Sequence, residues 1–235
     1  MTLSTLESGA RGALARDGFV LVPGVLDSDA RLRLIRESDV LTFGAGTRNL
    51  LLTEWGRELA YGTDVINLVH LALGMGAVPV RAILFDKRPG SNWSLGYHQD
   101  TKIAVSASGP IEESKCHGFS AWSVKEGFAH AKAPARILER MVALRLHLDD
   151  CGSENGALRA LPGTHLSGLL TLEEIQRAAA TVEPVVCSCR AGDALLMKPL
   201  TLHASSKSES PSHRRVVHIE YSDAELPAGL SWAFA

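Results

Sequence analysis

The chain has 235 residues, 46% of them hydrophobic, which is enough for one sizeable core. Its formal net charge is −2, so no strong field is available to gather nucleic acid or an anionic membrane surface. No apolar run approaches the roughly eighteen residues needed to span a bilayer, and the first residues lack the basic start and continuous apolar run of a secretory signal. A soluble, cytoplasmic protein is expected, with no membrane and no nucleic-acid partner.

In chain order, Leu3 to Arg16 reads as a helix and Phe19 to Gly24 as a short strand ended by a turn. Asp27 to Glu37 reads as a second helix capped by Asp27 or Ser28, and Glu54 to Leu73 is mainly helical. From there the character changes. Val78 to Phe85 is a strand, Pro89-Gly90 a turn and Thr101 to Ala107 another strand. Ser106 to Glu139 reads as a long connection of the kind used for lids and binding loops, or as an ordinary surface insertion. Toward the end of Arg140 to Asp149, Leu144, Leu146 and Leu148 alternate with Arg145, His147 and Asp149, so the two sets face opposite ways in a strand. Thr171 and Glu174 form a capping box ahead of a helix over Leu172 to Ala180. Val182 to Cys189, Ala194 to Met197 and Arg214 to Tyr221 complete the strands. Helices first, then many short strands between Gly/Pro turns, predict a closed double sheet with helices packed outside.

Cys116, Cys151, Cys187 and Cys189 lack the spacing of a zinc knuckle and are expected to be free thiols in a reducing compartment.

The chemistry concentrates in Tyr97-His98-Gln99-Asp100, in His203 and in Arg214. Two imidazoles and one carboxylate on one face of a metal, with the other face open, is the pattern of non-heme iron oxygenases. An arginine near the last ligand suits the carboxylate of an oxo-acid cosubstrate. The triplet alone is weak evidence, because nine histidines at ordinary Asp frequency give about half a match by chance. His147-Leu148-Asp149 and His218-Ile219-Glu220 are rivals, since residues i and i+2 of a strand share a face. His98 follows a Gly-containing loop and suits a barrel mouth, whereas His147 is mid-strand. For the third ligand His165, just after the Pro162-Gly163 turn, competes with His203. The residues favour His203, because a hairpin through the Ser-rich stretch Ser205 to Ser212 would return Arg214 to its side.

Several motifs in order resemble the phytanoyl-CoA dioxygenase family of Fe(II)/2-oxoglutarate oxygenases, which includes ectoine hydroxylases. They are Asp17 to Gly24, Tyr97 to Asp100, Leu148 to Asp150, Asn155 to Leu158, Leu161 to His165, Gly192-Asp193, and His203 to Ser205 with Arg214 beyond. The resemblance runs over roughly residues 10 to 221. It implies a mainly β, double-stranded β-helix (jelly-roll) fold. One domain over 1–235 would carry a helical part to about residue 75 and a jelly-roll core over about 76–225. It implies Fe(II) on His98, Asp100 and His203, with 2-oxoglutarate and O2 as cosubstrates, and His165 outside the ligand set. Arg214, with Arg215 as its rival, would take the distal carboxylate of 2-oxoglutarate, helped by Ser205. Lys87 matches the family's upstream lysine, which contacts cosubstrate or substrate or lies on the surface. Where some members carry a tryptophan beside the cosubstrate, this chain has Arg145, for cosubstrate, anionic substrate or a structural ion pair.

The function implied is hydroxylation of a small molecule with release of succinate and CO2, by a monomer or small homo-oligomer. Halogenases of this fold lack the carboxylate ligand, so Asp100 points to hydroxylation. The alternatives are a cupin-like metalloenzyme that needs no 2-oxoglutarate and a non-catalytic small-molecule binding module. Arg48-Asn49, Trp122 and His130 are further candidates for lining the pocket.

Overall fold

The structure is a computed structural model that describes residues 3–41, 46–108, 117–209 and 212–235. The first half begins with α1 (Leu3–Asp17), β1 (Phe19–Val22), α2 (Ser28–Asp39) and β2 (Gly46–Thr47). Asp27 caps α2, its carboxylate accepting from Ala30 N at 2.7 Å. The expected helical stretch over Glu54 to Leu73 is two helices, α3 (Glu54–Tyr61) and α4 (Thr63–Leu73). They break at Gly62, whose ψ of 139° cannot continue a helix. No helix among the described residues is long and apolar enough to cross a membrane.

Next come β3 (Val78–Lys87), β4 (Leu95–His98), β5 (Lys102–Ala107), β6 (Ser120–Lys125), β7 (Phe128–Lys132), α5 (Ala135–Leu138) and β8 (Met141–His147). The chain ends through β9 (Leu158–Ala160), α6 (Leu172–Thr181), β10 (Val185–Cys187), β11 (Ala194–Met197), β12 (His203–Ser205), β13 (Arg214–Ser222) and β14 (Leu230–Trp232). Three antiparallel sheets result, in the orders β1-β11-β8-β13-β3-β2, β10-β9-β12-β4 and β14-β5-β7-β6. The first two make the jelly roll, and the helices cover the outside of the six-stranded sheet.

Side-chain alternation on β8 and β13 builds that arrangement. Leu144, Leu146, Val217, Ile219 and Tyr221 point outward and pack with residues of α1, α3 and α4 in the main core. Each is at most 1% exposed, and burial of such a side chain stabilises by about 1.5–3 kcal/mol. The Tyr221 hydroxyl donates to Ala60 O at 2.8 Å, which satisfies its polar end. The opposite face of the same strands looks into the barrel and is polar.

The connection from Ser106 to Glu139 is more ordered than expected. It contains α5 and the β6–β7 hairpin, and the hairpin joins β5 and β14 in the third sheet. Glu126 and Gly127 turn the hairpin, both at positive φ (49° and 85°), as a tight two-residue turn requires. Residues 109–116, with Cys116, lie outside the described residues. The predicted strand over Val182 to Cys189 shrinks to Val185–Cys187, which pairs with the three-residue β9, while Cys189 makes an isolated bridge to Cys151. Cys151, Cys187 and Cys189 are buried and free.

Candidate metal centre

His98 closes β4, and Asp100 follows it two residues on, so both side chains leave the same face of the extended segment. Gln99 points the other way and pins the segment. Its amide nitrogen donates to Gly168 O (2.7 Å) and Leu200 O (2.8 Å), and its oxygen accepts from Leu170 N (2.9 Å). β12 pairs with β4 so that His203 stands opposite His98. The two imidazole rings lie 4.3 Å apart between centroids. His98 Nε2 is 3.7 Å from one Asp100 oxygen, and His203 Nε2 is 3.6 Å from the other. One ligand atom from each residue falls within a 4.8 Å set.

The tautomers suit a metal. Nδ1 of His98 lies 2.8 Å from Gly96 O, and Nδ1 of His203 lies 2.9 Å from Thr201 O. A carbonyl can only accept, so each Nδ1 donates and each Nε2 is the nitrogen turned toward the shared point. Burial holds His203 down to about 4, so the ring is neutral at physiological pH. Desolvation pushes the Asp100 carboxyl up, but His203, His218, His98 and Arg81 outweigh it and hold it at about 2. Two neutral imidazoles and one carboxylate can bind a divalent metal on one face and leave the other open.

The three residues line a cleft of about 530 Å³, counted to its open mouth. Ile83, Phe85, Trp93, Leu95 and Leu158 form its apolar walls, and Arg81, Arg145, Arg214, His218 and Ser205 its polar ones. The His203–Arg214 relation differs from the expected hairpin. β12 belongs to the four-stranded sheet and β13 to the six-stranded one, so the chain crosses between sheets. The two residues therefore meet across the cleft, on opposite walls of the barrel.

Arg214 is 2% exposed and donates through Nη1 to Gly156 O at 3.0 Å, while its Nε is buried without a partner. Ser205 Oγ donates to the same Gly156 carbonyl at 3.2 Å and accepts from Lys87 Nζ at 2.6 Å. Gly156 sits at φ +70°, and a Cβ there would meet Ser206 O at 2.7 Å. Only glycine fits this support for both Arg214 and Ser205. Lys87 is fully buried beneath Ser205 and also donates to Ser206 O. Burial first, then the fields of Arg214 and Arg145, lowers it to about 8. A buried guanidinium with an unfilled nitrogen, lining the same cleft as the metal-competent triad, suits an incoming carboxylate.

The model of the family described as Phytanoyl-CoA dioxygenase (PhyH) matches residues 80–216. The chain belongs to the phytanoyl-CoA dioxygenase family. This family's enzymes depend on Fe(II) and 2-oxoglutarate and use O2. Solved structures share its fold. AviO1 from Streptomyces viridochromogenes Tue57 is 23% identical, with 95% of this chain and 97% of that chain covered and a TM-score of 0.67. SnoK, a non-heme alpha ketoglutarate dependent carbocyclase from nogalamycin biosynthesis, is 16% identical over 100% of this chain and 89% of its own, at 0.72. EctD from S. alaskensis is 14% identical over 94% and 77%, at 0.68. No curated protein matches the sequence.

Within this family framework the rival residues fall elsewhere. Asp149 accepts from the backbone N, Nε and Nη2 of Arg215, which also reaches Asp39, so Arg215 points away from the cleft. His147 is buried, with both ring nitrogens unpartnered. His165 packs against Gly18, with Nε2 3.2 Å from Ala15 O. His218 and Glu220 join Arg81 and Arg145 in a chain of contacts on the inner wall. Arg48 pairs with Glu126 at 2.9 Å, and Trp122 packs in the second apolar cluster. Neither they nor Asn49 and His130 line the cleft. Gln99, Trp93 and Gly156 were missed as site residues. Only Gly156 left a signal, a glycine between Asn155 and an apolar run.

Proposed function

We propose that the chain is a single-domain Fe(II)/2-oxoglutarate-dependent dioxygenase that hydroxylates a small molecule with release of succinate and CO2. The observation that carries this reading is the convergence of His98, Asp100 and His203 in one cleft with Arg214, whose Nε is buried without a partner. Fe(II) with 2-oxoglutarate and O2 supplies the oxidising power when bound. The protein's part is geometry. Gly96 O and Thr201 O aim the two Nε2 lone pairs, and Asp100 stays ionised as the third ligand. Arg214, with Ser205 beside it and Lys87 behind, receives the distal carboxylate of the cosubstrate. Ile83, Phe85, Trp93 and Leu158 keep water from the reacting end. Asp100 supports hydroxylation, because a carboxylate holds the position that a halide would need.

The test is an anaerobic titration of Fe(II)-loaded protein with 2-oxoglutarate, followed by the weak visible absorption of the chelate. Wild type is expected to develop the band, and Arg214→Ala to need at least about 10-fold more cosubstrate, the loss of one charge-assisted carboxylate contact. Iron binding without the band would instead indicate the metalloenzyme that needs no 2-oxoglutarate. Succinate release on adding candidate substrates then reads the reaction, and the product's mass separates hydroxylation from cyclisation or epimerisation.

A further inference from the structure

Arg145 is one of the most enclosed cations in the molecule, 6% exposed on the inner face of β8. Its Nη1 lies 3.0 Å from His218 Nδ1. A guanidinium has no acceptor, so His218 Nδ1 accepts and the ring proton sits on Nε2. That nitrogen donates to Glu220 Oε1 at 3.3 Å. Glu220 in turn accepts from Arg81 through Nε at 2.8 Å and through Nη2. Three side chains, His218, Glu220 and Arg81, thus hold Arg145 from one side. No hydrogen bond or ion pair joins Arg145 to a carboxylate among the described residues. The structural ion pair considered from sequence is absent there.

Arg145 also lines the cleft, where the Phe85 ring centroid lies 5.6 Å from its guanidinium carbon. Arg145 Nε is buried without a partner, as is Arg214 Nε. Both side chains line the same cleft. The register sets His218 opposite Arg145 and Val216 opposite His147. On the inner face of β13, Arg214 and His218 therefore flank Val216, which puts Arg145 and Arg214 on neighbouring strands of the same cleft wall. After burial, Arg214 is the strongest influence lowering Arg145, to about 10. Two buried guanidinium groups that repel each other, each with an unfilled donor, are costly unless an anion sits between them.

We propose that Arg145 is a second cosubstrate-binding guanidinium, converging with Arg214 on the distal carboxylate and setting the site's selectivity for a dicarboxylic oxo-acid. His218 is its positioning residue. The proposal rests on the function above and adds Arg145 to it as a specificity determinant.

The experiment is anaerobic calorimetry on Fe(II)-loaded protein with two ligands. One is 2-oxoglutarate and the other is 2-oxopentanoate, which keeps the keto-acid end and replaces the distal carboxylate with a methyl group. Arg145→Gln is expected to weaken 2-oxoglutarate about 10- to 100-fold, the size of a lost charged hydrogen bond. It should leave 2-oxopentanoate within about twofold, and Arg145→Lys should recover part of the loss. His218→Leu should loosen 2-oxoglutarate alone, and His218→Gln, whose amide oxygen can still accept, should restore part of it. Unchanged 2-oxoglutarate affinity in Arg145→Gln, or an equal loss for both ligands, would overturn the proposal. If that variant fails to fold, wild type decides: two guanidinium groups on one carboxylate predict a preference for 2-oxoglutarate above about 100-fold, and any smaller preference overturns the proposal. Wild type that binds neither ligand defeats the proposed function itself, a distinct result.

Discussion

The two faces of the six-stranded sheet are equally buried and chemically opposite. On the outer face Leu144, Leu146, Val217, Ile219 and Tyr221 are 0–1% exposed, and their one polar group is satisfied. On the inner face Arg145, His147, Arg214, His218 and Glu220 are 2–6% exposed. There Arg145 Nε, Arg214 Nε and both nitrogens of His147 lack partners. Burial alone therefore does not mark the site. Two buried guanidinium nitrogens left open beside the metal ligands do, whereas the unpartnered nitrogens of Trp122, His130 and His165 lie outside the cleft.

The comparison predicts that cleft-side changes damage binding and outer-face changes damage stability. The largest effect is expected for Asp100→Ala. It removes one of three converging ligands, so iron affinity should fall by more than about 100-fold, beyond the loss typical of groups that only support ligands. Metal content after anaerobic desalting reads this. Glu220→Ala should blur the comparison, because the chain Arg81–Glu220–His218–Arg145 is both structural and cleft-facing. It strands Arg81 without its buried carboxylate, a loss of about 3–5 kcal/mol on chemical denaturation. Leu146→Ala restores the contrast. It should cost about 2–5 kcal/mol while iron affinity stays unchanged. A weakened iron site in that variant would mean the two faces are coupled through the sheet.

The same contrast explains what the sequence could disclose. β8 and β13 are long enough for a period of two, so the order of residues along the strand already sorts Leu144 and Leu146 onto one face and Arg145 onto the other. The Thr171–Glu174 capping box is local chemistry and appears as read. The pairing of His98 with Asp100 follows from their spacing. β4, β12 and β14 are three or four residues long and carry no period; their neighbours in the sheet define them. The relation of His203 to Arg214 depends on which sheet each strand joins, which no spacing encodes. Arg81 completes the inner chain from 139 positions before Glu220. That contact exists only once β3 lies beside β13.

His147 offers the finest test, because it is inner-face, unsatisfied and remote from the metal ligands. Burial first, then Arg145 and Arg214, lowers it to about 3, against about 6.5 in an unfolded chain. The unfolded chain therefore takes up a proton before the folded one does. The stability associated with a neutral His147 is fully present above about pH 6.5 and is lost as pH falls toward 3. Metal-free protein should show a urea midpoint that declines from pH 7 to pH 5. His203, lowered to about 4, contributes to the same decline. His147→Leu should flatten the slope without abolishing it, and should leave the pH 7 midpoint no lower than wild type, since it removes two buried nitrogens that have no partner. An unchanged slope would mean that His147 finds a partner in solution. The inner face would then be less open than its geometry indicates.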